Sequence, residues 1–176
     1  MTVPDKIYGP VVGNIKRAIN TFDTRDKNLG ILLHGEKGSG KTLYVKQMSA
    51  SMRERGVSTI LVNSPFCGDG FNLFIGALDE QCLIVFDEFE KVYDEKSSQS
   101  RLLTLLDGTI TGKKMFVFTV NQRYGVSEYM FNRPGRLYYS YEYNGIDEDT
   151  IREYCEDMLK DKSQIESIVS IFRILS

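Results

Sequence analysis

The sequence predicts an α/β fold, a parallel five-stranded sheet flanked by helices and followed by a C-terminal helical segment. Three observations carry this. Compact apolar runs alternate with stretches of helical spacing along most of the chain. Most of these runs are apolar throughout, the pattern of strands covered on both faces. From Ile146 onward the composition changes to charged amphipathic helix, IDEDTIREYCEDMLKD and then SQIESIVSIFRILS.

Residues 1–28 are mixed and polar, with a short helix predicted around Ile15–Phe22. LGILLH (29–34) is the first buried strand, and GEKGSGKT (35–42) follows it at once. In LYVKQMSASMRER, Val45, Met48 and Met52 fall at helical spacing, with Gly56 at the C-terminal cap position. STILVN (58–63) is a second strand that runs into SPFCGDG, and FNLFIGAL (71–78) reads as a short helix. CLIVF (82–86) is the third strand, ended by DEFE. DEKSSQS (94–100) reads as a polar loop, and RLLTLLDG (101–108) as a helix stopping at Asp-Gly. KMFVFTVN (114–121) and RLYYSYEY (136–143) supply the fourth and fifth strands. Between them a Pro-Gly pair sets a tight turn bracketed by Arg133 and Arg136. The last apolar pattern, Ile165, Ile168, Val169 and Phe172, reaches Ser176 without a cap, so a trimmed piece of a longer protein is expected. The expected organisation is an N-terminal segment (1–28), an α/β core (29–145) and a helical segment (146–176).

At 176 residues the chain can build one ordinary domain with a real core. Its 41% hydrophobic and 26% charged residues are average values, which exclude the disordered and fibrous classes. A net charge of −2 with no dense Lys/Arg block gives no sign of a broad basic face for nucleic acid. Cys67, Cys82 and Cys155 are odd in number and too far apart for a CxxC pair. Together with the lack of a secretory signal or long apolar span, this predicts reducing cytoplasm and no membrane segment. Cys82, at the head of an apolar run, reads as a small core residue.

Gly35, Glu36, Lys37, Gly38, Ser39, Gly40, Lys41 and Thr42 satisfy G-x-x-x-x-G-K-[ST]. The motif directly follows a buried strand and opens a helix, which is the context its chemistry requires. The glycines let backbone N–H groups wrap phosphate oxygens, and the helix N-terminus adds its positive end. Lys41 would reach the β- and γ-phosphates, and the Thr42 hydroxyl would ligate Mg²⁺. This is the P-loop of a nucleotide-binding α/β fold, with ATP and Mg²⁺ as expected ligands. His34, the sole histidine, reads as a packed residue beside the loop in preference to a proton shuttle.

Asp87-Glu88 ends the third strand, where an aspartate can hold Mg²⁺ and a glutamate can orient or deprotonate the attacking water. Beside a P-loop this reading prevails over an ordinary solvated strand end. Glu90, one turn on, reads as a surface charge. Asn121, at the carboxyl end of the fourth strand, points into the ligand crevice or is a turn residue; spacing alone leaves both open.

GEKGSGKT, LIVFDE, LLTLLDG, FVFTVN and NRPGR, in that order, resemble the AAA ATPases, the ring-forming members of the wider AAA+ group. The resemblance covers roughly 29–145, with the lid beginning at 146–176. It implies that Lys41 and Thr42 serve phosphate and Mg²⁺, Asp87 serves Mg²⁺, Glu88 is the catalytic base and Asn121 is sensor 1. It also implies that Arg133 and Arg136 are arginine fingers. Arg136 is the stronger candidate, and Arg133 is equally suited to bracing an interface. Phe66, Cys67 and Gly68 occupy the place of the family's pore loop, though a glycine turn carrying a buried Phe fits as well. The segment from Phe66 to Asp87 is shorter than in common protein unfoldases and resembles the Bcs1-like branch. Tyr138 departs from the aspartate usual after Arg-Pro-Gly-Arg-x, and no sensor-2 arginine is visible.

The resemblance implies a Mg²⁺-dependent ATPase that binds ATP and ADP, forms a homo-oligomeric ring (a hexamer in the family) and remodels a protein or protein complex. Two other classes compete with that expectation. A DNA-directed motor or helicase loader shares the P-loop, acidic pair and strand-end asparagine, and a nucleotide-dependent scaffold would bind without hydrolysing. The NRPGR element and the lack of a basic stripe favour the protein remodeller over the DNA motor. Lys41 together with Glu88 speaks against the scaffold.

Overall fold

The five runs form five strands: β1 (Leu29–Gly35), β2 (Ser58–Val62), β3 (Cys82–Phe86), β4 (Lys114–Val120) and β5 (Tyr139–Tyr143). The computed structural model describes residues 6–107, 112–130 and 136–175. Neighbouring strands are all parallel, in the order β2-β3-β4-β1-β5. The inner strands β1, β3 and β4 are buried along their length apart from Gly35, as their continuous apolar character requires. β2 and β5 are the sheet edges and are partly exposed, so Leu61 stays open to solvent although STILV is mostly apolar.

Strand alternation splits the core in two. On one face Leu29, Ile31, Leu33, Val85 and Val117 pack against α1 (Val11–Thr24) and α2 (Lys41–Glu54). The predicted N-terminal helix therefore exists, extends further than expected, and buries Ile15, Ala18 and Phe22 in that core. On the other face Leu32, Ile84, Phe86, Phe116 and Phe118 meet residues of α3 (Asp69–Gly76), α4 (Phe89–Val92) and α6 (Leu103–Leu106). Phe86 stacks on Phe118 at 4.9 Å, and Phe89 meets Phe118 edge-on at 5.1 Å.

Two expectations are corrected on this face. The stretch read as a polar loop, 94–100, is helical from Lys96 as part of α5 (Lys96–Arg101), and the helix read over 101–108 is broken at Leu102 between the end of α5 and α6 within the described residues. The reason is tertiary. Gln99 is fully buried, donates to the carbonyls of Tyr93 and Gly125 at 2.8 Å each, and accepts from the Ser127 N–H at 2.6 Å. These bonds staple a polar sequence into place, which local propensity does not reveal.

β5 begins three residues later than RLYYSYEY suggests. The chain first runs alongside Gly30, whose carbonyl accepts from the Tyr138 N–H at 2.8 Å. A Cβ at Gly30 would lie 1.9 Å from the Arg136 carbonyl oxygen, so glycine alone allows this approach. Beyond β5, α7 (Glu148–Met158) and α8 (Ile165–Leu175) pack around Cys155, Ile165 and Val169 as a small helical unit. Asp147 caps α7 by accepting from the Thr150 N–H at 2.7 Å. Among the described residues no helix is long and apolar enough to cross a membrane.

Candidate active site

The carboxyl ends of β1, β4 and β3 lie side by side, and each carries part of the predicted site. Pairing sets their level: Leu33 lies opposite Thr119, His34 opposite Val120, and Phe86 opposite Phe118. The loop after β1, the acidic pair after β3 and Asn121 after β4 are therefore brought to one edge of the sheet. Open parallel sheets bind ligands at such an edge.

Between β1 and α2 the backbone takes left-handed φ at Gly38 (86°) and Gly40 (104°). Lys41 is the first residue of α2 and is 7% exposed. Its ammonium folds back to donate to the carbonyls of Gly35 at 2.6 Å and Glu36 at 2.8 Å. Burial lowers its pKa, while the charges of Glu90, Asp87 and Glu88 act in the opposite direction. Thr42 is exposed beside it, and Glu36, Lys37 and Gly38 form the exposed crest of the loop. Ser39 Oγ is buried with no hydrogen-bond partner among the described residues.

Thr119 organises the acidic pair. Its hydroxyl donates to Asp87 Oδ1 at 2.6 Å and accepts from the Glu88 N–H at 2.8 Å, so one side chain fixes both residues. Glu88 has φ 48° and ψ 48°, and is the one described non-glycine residue with positive φ. Such a conformation is uncommon and costs about 1–2 kcal/mol, and it persists where surroundings enforce it. Glu88 Oε1 pairs with Lys91 at 2.5 Å, both side chains being about half exposed. The Lys91 hydrogen bond, then its charge and the Asn121 amide, hold the Glu88 carboxyl below its usual range.

Asn121 donates from its backbone at 2.8 Å and from Nδ2 at 2.9 Å to Glu90 Oε1. Glu90 is thus no mere surface charge, which corrects the sequence expectation. The cause is α4, a single turn that swings residue 90 back over the end of β4. His34 is 8% exposed, and burial lowers its pKa, in keeping with a packed residue.

The remaining predicted residues lie apart from this cluster. Arg136 donates bidentately to Asp107 at 2.6 and 2.9 Å and to the Tyr129 carbonyl at 2.6 Å, with its side chain 11% exposed. The Asp107 hydrogen bonds raise its pKa further. Arg133 and the Pro-Gly turn lie outside the described residues. Phe66 is 58% exposed and stacks on Phe71 at 6.1 Å, so it is not the buried phenylalanine of a simple glycine turn. Cys67 is partly buried, and Gly68 precedes α3 with φ 86°.

A cavity of about 1110 Å³ opens beside Gly38, Ser39 and Gly40. Its other walls are the N-terminal stretch from Lys6 to Asn14, the end of β5 with the turn to Ile146, and Thr150, Tyr154 and Phe172 of α7 and α8. The stretch is clasped to α7, with Lys6 and the Tyr8 hydroxyl reaching Asp157 at 2.6 and 2.9 Å. Asp87, Glu88 and Asn121 are not part of its lining, so cavity and acidic cluster meet at the loop.

These residues fit a nucleoside triphosphate with Mg²⁺. The loop offers the Lys41 ammonium and a Ser39 hydroxyl without a hydrogen-bond partner among the described residues, while Thr42 and Asp87 supply the hard oxygen donors Mg²⁺ takes. Among the described residues no group of three or more His, Cys, Asp or Glu forms a metal cage. A cation here would share its shell with phosphate oxygens and water.

Sequence reasoning missed Thr119, Glu90 and the N-terminal wall. Thr119 had left a signal, the single polar residue inside FVFTV, where a hydroxyl in a buried strand needs a partner.

The chain matches the family described as "ATPase family associated with various cellular activities (AAA)" over residues 31–144. Similar proteins include the nuclear valosin-containing protein-like of Mus musculus, 28% identical over 130 residues, covering 61% of this chain and 14% of that protein. The peroxisomal ATPase PEX1 of Cricetulus griseus is likewise 28% identical over 130 residues, covering 61% of this chain and 10% of that protein. The chain thus spans only a small part of the length of these relatives. The solved ORC2 protein of Aeropyrum pernix, in ADPNP-ADP complexes, superposes with a TM-score of 0.60 at 10% identity. The superposition covers 96% of this chain and 58% of that one, a likeness of fold.

Proposed function

The chain belongs to the AAA family of ATPases, and on that premise we propose that it binds ATP with Mg²⁺, hydrolyses it, and works as a ring that remodels a protein or protein complex. The observation that carries the hydrolytic reading is the bonded set Asp87–Thr119–Glu88, with Asn121 beside it, at the mouth of the loop that buries Lys41. Lys41 turns from the loop carbonyls to the β- and γ-phosphate oxygens. Thr42 and Asp87 hold Mg²⁺, which neutralises phosphate charge when bound. Glu88 orients the attacking water and takes its proton, and the Asn121 amide steadies that water or the γ-phosphate. The cavity between the N-terminal stretch and the lid accommodates the nucleoside.

The arginine loop (133–136) completes the site of a neighbouring subunit in this proposal. Arg136 is committed to Asp107 in a bidentate pair largely shielded from water, and breaking such a pair is costly. The Asp107 pair supports Arg136 as the brace of the loop, and the proposal takes Arg133 as the finger. Phe66, Cys67 and Gly68 are the pore-loop candidates, and the exposure of Phe66 supports that. The short segment from Phe66 to Asp87 fits the Bcs1-like branch rather than a threading unfoldase. The core (29–145), the lid start (146–176), the N-terminal segment (1–28) and a cytoplasmic setting belong to the same proposal, the last supported by three free cysteines.

Lys41→Ala is expected to abolish ATP binding, and Glu88→Gln to keep binding while lowering turnover by about 10²–10⁴-fold. Full turnover in Glu88→Gln, or no ATP binding by the wild type, defeats the reading. Turnover stimulated by single-stranded DNA, with salt-dependent binding, identifies a DNA-directed motor instead.

A further inference from the structure

We propose that Glu90 is a positioning residue for hydrolysis, locking the Asn121 side chain in the orientation that presents its amide to the reacting groups. This rests on the role proposed above for Asn121.

Glu90 Oε1 accepts two hydrogen bonds from one residue, the backbone N–H of Asn121 at 2.8 Å and its Nδ2 at 2.9 Å. A carboxylate only accepts, so the amide nitrogen faces Glu90 and the amide oxygen faces away. Rotation about either side-chain torsion of Asn121 breaks the second bond, so the pair selects one rotamer and one amide orientation. Glu90 Oε2 is buried and makes no hydrogen bond among the described residues, so there the hydrogen bonds of this carboxylate go to Asn121 alone.

The stem of Glu90 is fixed as well. A Cβ at Gly125 would lie 2.9 Å from Glu90 Cβ, so the turn Arg123–Gly125 is seated directly on it. Gln99, fully buried, holds that turn through the Gly125 carbonyl and the Ser127 N–H. A chain of contacts therefore runs from Gln99 by hydrogen bonds to the 123–127 turn, by packing from Gly125 to Glu90, and by hydrogen bonds from Glu90 to Asn121. Each member fixes the next, as a catalytic side chain requires when small misplacements are expensive.

The test measures kcat, KM and melting temperature for Glu90→Met, Glu90→Gln, Asn121→Ala and the Glu90→Met/Asn121→Ala double variant of the full chain. Glu90→Met keeps the bulk and removes the acceptor; kcat is expected to fall roughly 10- to 100-fold with KM unchanged. Glu90→Gln retains an oxygen that can accept both bonds and is expected to recover most of the rate. The double variant is expected to be no slower than Asn121→Ala, because both changes remove one function. Amide exchange at Asn121 is expected to accelerate in Glu90→Met and not in Glu90→Gln, a readout independent of turnover.

A wild-type rate in Asn121→Ala rejects the reading of Asn121 on which the proposal rests. A slow Asn121→Ala beside a wild-type Glu90→Met rejects the role of Glu90 alone. Losses that multiply in the double variant, a Glu90→Gln as slow as Glu90→Met, or a loss confined to melting temperature also overturn it.

Discussion

Thr119 shows how much of this site depends on one hydroxyl. It accepts from the Glu88 N–H and donates to Asp87 Oδ1, joining the strand-end aspartate to a glutamate held at positive φ. Removing it leaves a partly buried N–H and a carboxylate oxygen each short of a partner, while the shape of the strand is retained by valine. Thr119→Val is therefore expected to lower stability by about 1–3 kcal/mol. It is also expected to lower turnover more than ATP affinity, because Lys41 and the glycine loop are untouched. Urea unfolding and steady-state kinetics on the same preparation check this, and an unchanged turnover would show that Thr119 is structural only.

Among the elements, β1 has the most demanding role, since it carries the loop at one end and faces the arginine segment at the other. Gly30 is where the second duty is decided. Its missing side chain lets the Arg136 backbone pass within a distance that a Cβ would reduce to 1.9 Å. Gly30→Ala is expected to push the start of β5 from the sheet at a cost of about 1–3 kcal/mol, as overpacking does. Faster amide exchange at Tyr138, whose N–H bonds to Gly30, would report the displacement directly. Unchanged exchange there, with full stability, would show that the sheet edge yields freely. The helices α7 and α8 depend less on β1, since Asp147 caps α7 and Arg173 of α8 pairs with Glu148 of α7 at 2.5 Å.

At the scale of the whole molecule, the site has a loop, an acidic pair and an asparagine held by Glu90, and the proposed ring would have a neighbour supply the charge on the far side of the γ-phosphate. Turnover per subunit is therefore expected to rise with protein concentration as rings assemble. Mixing Arg133→Ala subunits with Lys41→Ala subunits is expected to restore activity that neither has alone, because Lys41 of one can face Arg133 of the other. No recovery in confirmed mixed assemblies would refute a finger supplied in trans. Arg136→Ala in place of Arg133→Ala is expected also to lower melting temperature, since it releases Asp107 as well as the loop.

The sequence by itself determined the parallel sheet, the loop after β1 and the acidic pair after β3. Each is a local pattern: unbroken apolar runs, glycines spaced around a lysine, charges that stop a strand. It also placed Asn121 correctly at the end of β4, where the fourth run turns polar. Only the tertiary structure decided which polar groups meet. Gln99 becomes helical through partners at 93, 125 and 127, Glu90 turns inward to Asn121, and Arg136 finds Asp107 across 29 residues. A pattern along the chain records which face a residue occupies. A hydrogen bond between distant segments depends on where folding brings their ends together, and burial then makes that bond obligatory.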